Sequence, residues 1–333
     1  MTSAASFAVL LESFFTQRLI KQRLASPHTI RSYRDTFHLL LRFTQERLRK
    51  QPPKLELTES AAPLISAFLD EMKASRSISA RSRNVRLAAI RSFFRYAALE
   101  APAQSAQIQR VLAIPGKRHI RPLINYLIRS EVEALLAAPD QQTWSGRRDH
   151  ALLLVAVQTG LRLSELTGLQ WQDVVLSGTG AHIRVIGKGR KERCTPLTKQ
   201  TAKVLKAWMR EPARGNTQTL FPNARGGRLS RDGVQYILNR HIERASEASP
   251  ALKEKRISPH SLRHTAAMEL LHAGIDRAMI ALWLGHESVE TTQMYLHASL
   301  ALKEKLLATT TMAEGTPSCY RPDDHLLSFL RSL

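Results

Sequence analysis

The chain has 333 residues, with 49 Lys and Arg against 28 Asp and Glu, a formal net charge of +21 and 43% hydrophobic residues. That apolar content supports folded cores, about two domains' worth at this length, and excludes a disordered basic tail. A charge this large on a globular chain calls for a polyanionic partner, and nucleic acid leads the candidates. The longest apolar runs, Ala151–Val157 and Ala278–Leu284, are seven residues each, against roughly 18 needed to span a bilayer. The N-terminus MTSAASFAVLLES lacks a basic region and meets Glu12 at once, which argues against a secretory signal. Two cysteines, Cys194 and Cys319, without metal-ligand spacing, point to a reducing, cytoplasmic compartment.

Residues 1–110 read as short helices. Ile30, Tyr33, Phe37, Leu40 and Leu41 recur at helical spacing behind a Ser26-Pro27 start signal, with Arg31, Arg34, His38 and Arg42 on the other positions. Leu87, Ile90 and Phe94 repeat the pattern among Arg83, Arg86, Arg91 and Arg95. This segment holds 18 Lys and Arg against 8 acids, a surplus that predicts phosphate contacts. Any single arginine here is as well explained by a solvated face.

From Ala101 to about Pro122, three prolines, a Pro-Gly pair and the basic run Lys117, Arg118, His119, Arg121 read as a linker. Beyond it, Ser130 and Glu133 predict a capping box for a helix through Ala138. Asp149–Thr159 reads as a buried helix closed by Gly160. His182–Ile186 alternates as a strand, Gly187-Lys188-Gly189 turns, and Glu192–Leu197 returns. Helices are predicted again at about 198–210, 230–245, 261–272, 276–284 and 288–296, with Gly274 and Gly285 as stops. The last twenty residues read as a weakly ordered tail. The fold class is mainly α with a small antiparallel β-sheet in the C-terminal domain. The predicted domains are 1–110, a basic linker at 111–122, 123–312, and a tail at 313–333.

No GxxxxGK[ST] loop and no strand–GxGxxG–helix is present, so neither ATP nor a dinucleotide is indicated. Acids in the C-terminal half are scattered among basic residues, the wrong charge for a Mg²⁺ nuclease. His260 and His264 share a helical face at zinc spacing, but Ser-Leu-Arg lies between them, with a cation where a metal needs neutral company. No metal and no cofactor is expected.

The same half contains Arg162 in TGLRLSEL, Lys188 in IGKGRKER, His260 and Arg263 in SPHSLRHTAA, His286 in LGHES and Tyr295 in TTQMYLH. Taken singly, each has a plain structural explanation: a surface cation, a turn residue, a helix cap, a core aromatic. Together and in order they resemble the tyrosine recombinase family of site-specific integrases, with Xer-like spacing. The likeness covers about residues 123–308, and the helical N-terminal domain resembles the family's core-type DNA-binding domain.

Cutting a phosphodiester without a metal requires a nucleophile, an acid for the leaving oxygen and fixed cations for the non-bridging oxygens. Arg162 and Arg263 can fork onto those oxygens. His260 and His286 suit hydrogen bonds to the phosphate. Positive surroundings are expected to help Tyr295 act as a phenolate. The resemblance further implies that Tyr295 attacks, that His260 takes its proton, and that Lys188 protonates the departing 5′ oxygen. It places Glu165 at an acidic position that holds an active-site cation. It also implies a tetramer, of one chain or of related recombinases, on two double-stranded DNA sites, held by a clamp of both domains. The expected setting is the cytoplasm, at the nucleoid. The basic composition and the tail lean towards integration, excision or transposition of a mobile element, and no arm-binding module is expected ahead of the core-type domain. A type IB topoisomerase, a non-catalytic DNA-binding regulator and a chromosome dimer-resolution enzyme are the competing readings.

Overall fold

The computed structural model describes residues 6–119, 124–176, 180–187, 191–212, 218–286, 288, 290–292 and 295, with the Arg76 side chain left aside. The chain divides into two compact units after Arg121.

The first unit is helical. Helix α1 (Phe7–Ser13) continues through wider π-type turns over Phe14–Gln22. It is followed by α2 (Pro27–Leu48), α3 (Ala62–Arg76), α4 (Ala80–Glu100) and α5 (Ser105–Leu112). Ser26 caps α2 by accepting from the Thr29 amide, with Pro27 in the first turn. At 22 and 21 residues, α2 and α4 are long rather than short, because each carries an apolar stripe along its whole length. Eight of the ten phenylalanines precede residue 100, and they make the core. Phe7, Phe14, Phe37 and Phe93 are fully buried, with Phe37 and Phe93 edge to face at 5.3 Å.

The linker expected from Ala101 begins instead as structure. Ile108 and Val111, three apart, are buried and hold α5 in the core of this unit. The chain beyond is fastened to α4. Arg83 Nη1 donates to the Pro115 carbonyl, Arg91 Nη2 to the Ile114 carbonyl, and Asn84 exchanges two hydrogen bonds with the Lys117 backbone. Two arginines that sequence assigned to a DNA-facing pattern, Arg83 and Arg91, therefore serve internal carbonyls, whereas Arg31, Arg81 and Arg95 are exposed.

The second unit runs α6 (Arg129–Ala137), α7 (Trp144–Thr159), α8 (Leu163–Leu166), β1 (Val174–Val175), β2 (His182–Ile186), β3 (Glu192–Pro196), α9 (Lys199–Trp208), α10 (Arg231–Ala248), α11 (Pro259–His272) and α12 (Arg277–Leu284). The three strands are antiparallel in the order β1-β2-β3, with Ile183 opposite both Val174 and Thr195. The short strand β1 was not foreseen, two residues being too few to show alternation. Residues 188–190 of the expected turn and the tail at 313–333 lie outside the described residues, as do 289, 293, 294 and 296 of the helix expected at 288–296, of which 290–292 and 295 are helical. The capping box of α6 sits two residues earlier than predicted, since Glu131, not Glu133, accepts from the Ile128 amide. Glu131 is buried against Lys255, whereas Glu133 pairs with Arg129 at the surface.

Helix α7 is the central rod. Residues Ala151–Val157 are all buried, and α6, α9 and α11 pack around them. Buried Asp149 in its second turn accepts from Arg148, Arg240 and His241, tying α10 to α7. At the other end Gly160 has φ +63°, and a Cβ there would lie 2.6 Å from Leu284 Cδ2. Gly160→Ala should cost about 1–2 kcal/mol through the backbone alone, and more through the crowding against α12. The denaturation midpoint in urea measures it, and an unchanged midpoint would mean that the α7–α12 junction is not tightly packed.

Candidate active site

Three helix ends meet in the second unit. Helix α7 ends at Gly160, α8 starts after Arg162, and α12 ends at Gly285, where φ is +64°. Arg263 projects from α11 into this junction and is 2% exposed. Its Nη1 donates to the Gly160 carbonyl and its Nη2 to the Leu284 carbonyl, both at 2.7 Å. Arg162 Nη2 donates to the Gly285 carbonyl at 2.7 Å and its Nη1 to Glu165 Oε1 at 2.9 Å. The negative ends of two helices thus face the guanidiniums.

Glu165 is the organising anion. It accepts from the Arg162 backbone amide (2.7 Å) and from Arg193 Nη1 and Nη2 (3.1 and 2.8 Å). Burial would raise its carboxyl, but the Arg193 and Arg162 hydrogen bonds outweigh burial and hold it below the usual carboxylate range. Arg193 stands on β3, and the end of β2 closes over the pair. A Cβ on Gly187 would lie 3.0 Å from Arg193 Nη1 and 3.5 Å from Glu165 Oε1. Lys188 follows Gly187 in sequence and lies outside the described residues.

Tyr295 is 1% exposed, its ring among Ala267, Met268, Leu271, Ile280 and Leu284. Its hydroxyl lies 3.1 Å from His264 Nδ1, and its ring stacks parallel to His286 at 6.4 Å. His286 Nδ1 is 2.9 Å from Thr292 Oγ1. The exposed ring of His260 meets His264 edge-on at 4.4 Å. So five of the six residues singled out in the sequence, Arg162, His260, Arg263, His286 and Tyr295, line one site. Arg193 and His264 were not assigned to it. Arg193 was lost in the charged run RKER, although strand alternation sets it on the same inward side as buried Thr195. His264 was weighed only as half of a zinc pair with His260. Among the described residues, no group of three or more His, Cys, Asp or Glu side chains gathers to hold a metal.

The electrostatics follow from burial among cations. Burial, then Arg162, lowers the Arg263 pKa to about 10, with Tyr295 and Glu165 opposing. His264 is pushed down to about 4 by burial and then by His260, Arg263 and His286. His286 also falls to about 4, through burial and then Arg263 and Arg162. The expectation that positive surroundings help Tyr295 towards the phenolate holds in sign but is outweighed. Arg263 and Arg162 do pull its pKa down, but burial is the larger effect and leaves the phenol raised.

The model of the phage integrase family matches residues 125–301, and that of its N-terminal SAM-like domain matches residues 13–101. The chain is 66% identical over 333 residues to "Putative integrase/recombinase y4rC" of Sinorhizobium fredii, covering all of both chains. It is 33% identical over 287 residues to the tyrosine recombinase XerC of Pelobacter propionicus, covering 86% of this chain and 90% of that one. In fold it is similar to the XerH site-specific recombinase in its post-cleavage complex with palindromic difH (TM-score 0.68, 22% identity, 86% of this chain and 81% of that chain). A lambda integrase tetramer on a Holliday junction gives a TM-score of 0.60 at 18% identity, over 88% of this chain and 78% of that chain.

Two histidines held neutral make a pH prediction. Each has a folded pKa of about 4 against 6.5, so between those values the unfolded chain binds more protons. Their contribution to stability is therefore full above pH 6.5 and is lost as the pH falls towards 4. At pH 5 the loss should be on the order of 2 kcal/mol for buried His264 and less for the more exposed His286. Urea midpoints at pH 7.5 and 5 should show it, and the double variant His264→Asn, His286→Asn should flatten the slope. An equally steep slope in that variant would place the titration elsewhere.

Proposed function

The chain belongs to the phage integrase family, the tyrosine recombinases, and is closely related to Xer-type members; on that footing we propose how its residues cleave and rejoin DNA. It is a site-specific recombinase that acts through a catalytic tyrosine. The observation that carries the residue assignment is the one cluster in which a buried tyrosine, two helix-anchored guanidiniums and three histidines meet.

Tyr295 Oη attacks the scissile phosphorus, forming a 3′-phosphotyrosyl bond as the P–O5′ bond breaks. Arg162 and Arg263 each donate to protein acceptors through Nη atoms and keep further N–H groups for the non-bridging oxygens. His260 and His286 hydrogen-bond the phosphate, and His260 receives the phenolic proton. Lys188, at the turn after Gly187, protonates the departing 5′ oxygen. Glu165 positions Arg162 and Arg193. A 5′-hydroxyl from the partner duplex then attacks the phosphotyrosine, so the bond energy is retained and no nucleotide is consumed. The substrate is double-stranded DNA, paired sites are handled by a tetramer, and the N-terminal domain binds the core site from its exposed arginines. The strongly basic composition is the ground for reading its role as the moving of an element, and the full-length similarity to a putative integrase/recombinase is compatible with that role.

Tyr295→Phe should bind its site with wild-type affinity yet give no protease-sensitive 3′ adduct on a nicked substrate. Tyr33, Tyr96, Tyr126, Tyr236 and Tyr320 serve as controls that tolerate phenylalanine. Wild-type cleavage should persist in excess EDTA without ATP. An adduct from Tyr295→Phe would remove Tyr295 as nucleophile.

In the N-terminal unit, the exposed Arg31 and Arg95 are the arginines to test. Each true phosphate contact removed by alanine should lower the slope of log affinity against log salt by about 0.9. Arg91→Ala should instead lower thermal stability, because it strands the Ile114 carbonyl. An unchanged salt slope for Arg31→Ala and Arg95→Ala would leave that surface merely solvated.

A further inference from the structure

We propose that His264 is a positioning residue for the nucleophile, its Nδ1 accepting the hydrogen bond of the Tyr295 hydroxyl and fixing the phenol oxygen inside the arginine pocket. The proposal rests on Tyr295 as the nucleophile and adds the group that aims it. Among the described residues, the hydrogen bond made by that hydroxyl is the one to His264 Nδ1, at 3.1 Å. The two rings are 5.5 Å apart at 65°, so the imidazole presents its edge to the phenol oxygen.

The backbone explains why this contact is rigid. His264 sits mid-way along α11, in the turn after His260 and next to Arg263, so the same helix places the guanidinium and the hydroxyl's partner. Both side chains are nearly or fully buried, His264 at 9% and Tyr295 at 1% exposure. The Tyr295 ring is otherwise surrounded by apolar side chains, which fix its plane but say nothing about where the hydroxyl hydrogen points. A buried hydroxyl without a partner costs roughly 1–3 kcal/mol, and an acceptor at one defined place removes that cost for one orientation. Depressed by burial and by His260, Arg263 and His286, His264 stays neutral at working pH and keeps an acceptor lone pair. His260, exposed at the rim, remains the group that can receive the proton as the phosphate enters.

Asparagine and leucine are nearly isosteric, but only asparagine offers an acceptor close to the place of Nδ1. Single-turnover cleavage of a nicked DNA site at saturating protein is the readout, with DNA affinity and thermal midpoint measured alongside. His264→Leu should cleave about 10²-fold more slowly, as for a misplaced reacting group, with DNA affinity unchanged. His264→Asn should recover most of that loss. Equal rates for the two variants would overturn the proposal, since packing alone would then explain the residue. Should His264→Leu not fold, His264→Gln takes its place. Its amide reaches the Nε2 position instead, so it should be slow, and a wild-type rate would overturn the assignment to Nδ1.

A site with sulfur replacing the bridging 5′ oxygen separates aiming from leaving-group chemistry. Lys188→Ala should regain its rate on that DNA, because a thiolate leaves without a proton. His264→Leu, or His264→Gln in its stead, should stay slow, and its recovery there would move His264 to the leaving-group side and overturn the proposal. If Tyr295→Phe itself forms the adduct, the nucleophile assignment fails first, and that result is distinct from any outcome at His264.

Discussion

The buried cations of the second unit depend on the carbonyls at two helix ends. Helix N-termini are the usual places for anions, yet here two C-termini are turned inward and hold guanidiniums. Arg263 bridges the ends of α7 and α12, and Arg162 takes the next carbonyl along, at Gly285. Both glycines are required twice over. Each has a positive φ that ends its helix, and each leaves no room for a side chain. A Cβ on Gly160 would meet Leu284 at 2.6 Å, and one on Gly285 would meet the Arg193 guanidinium at 2.8 Å. The indole of Trp283 adds a further tie, donating to the Thr159 carbonyl. The helix ends are therefore packed around the cations, and the cations in turn lock the helix ends.

Counting charge in that junction gives a reason for its composition. Arg162, Arg193 and Arg263 bring three positive charges and Glu165 one negative charge, a surplus of two. A phosphodiester carries one negative charge, whereas the five-coordinate arrangement between attack and departure gathers two on its non-bridging oxygens. A site with this surplus favours the second state over the first, which is the condition for catalysis rather than mere binding. Glu165 does not dilute the effect. Without it, three guanidiniums would be packed together with only carbonyl dipoles to offset their repulsion, and burial already draws Arg263 down to about 10.

Much of this was legible in the sequence, and the exceptions have physical causes. Arg162 and Glu165 share one helix entry, and the family resemblance had already set Glu165 there as the holder of an active-site cation. The order of Arg162, Lys188, His260, Arg263, His286 and Tyr295 suggested the site, and Gly160 and Gly285 marked the helix ends. Arg193 was hidden because its strand is short and the three residues before it, Arg190, Lys191 and Glu192, are all charged, so it reads as one more member of a solvated run. Arg83 and Arg91 were assigned to a basic face, since a sequence does not reveal that backbone carbonyls at 114 and 115 need donors. α5 was concealed by its flanking prolines, although Ile108 and Val111 carry the spacing of a buried face. The depth of Tyr295 was present in the sequence only as the plain alternative of a core aromatic. Burial there comes from α11 and α12, brought together by the same carbonyl contacts that hold Arg263.

That depth constrains how the proposed nucleophile is used. Burial keeps the phenol raised despite Arg263 and Arg162, and an incoming phosphate would screen those two cations and remove part of the downward pull. Substrate binding thus makes a free phenolate harder to form, so a standing phenolate is not what this pocket is built to hold. The proton has to leave as the Oη–P bond forms, when charge moves from the phenol oxygen to the non-bridging oxygens and the arginines can act on it. An acceptor must then be neutral beforehand and close by. In the proposed mechanism that acceptor is His260, exposed at the rim, while His264 and His286, each held near 4, stay neutral and leave the proton to it. A phosphate in the pocket raises the basicity of a histidine beside it while it disfavours the phenolate, so DNA binding itself shifts the balance towards proton transfer.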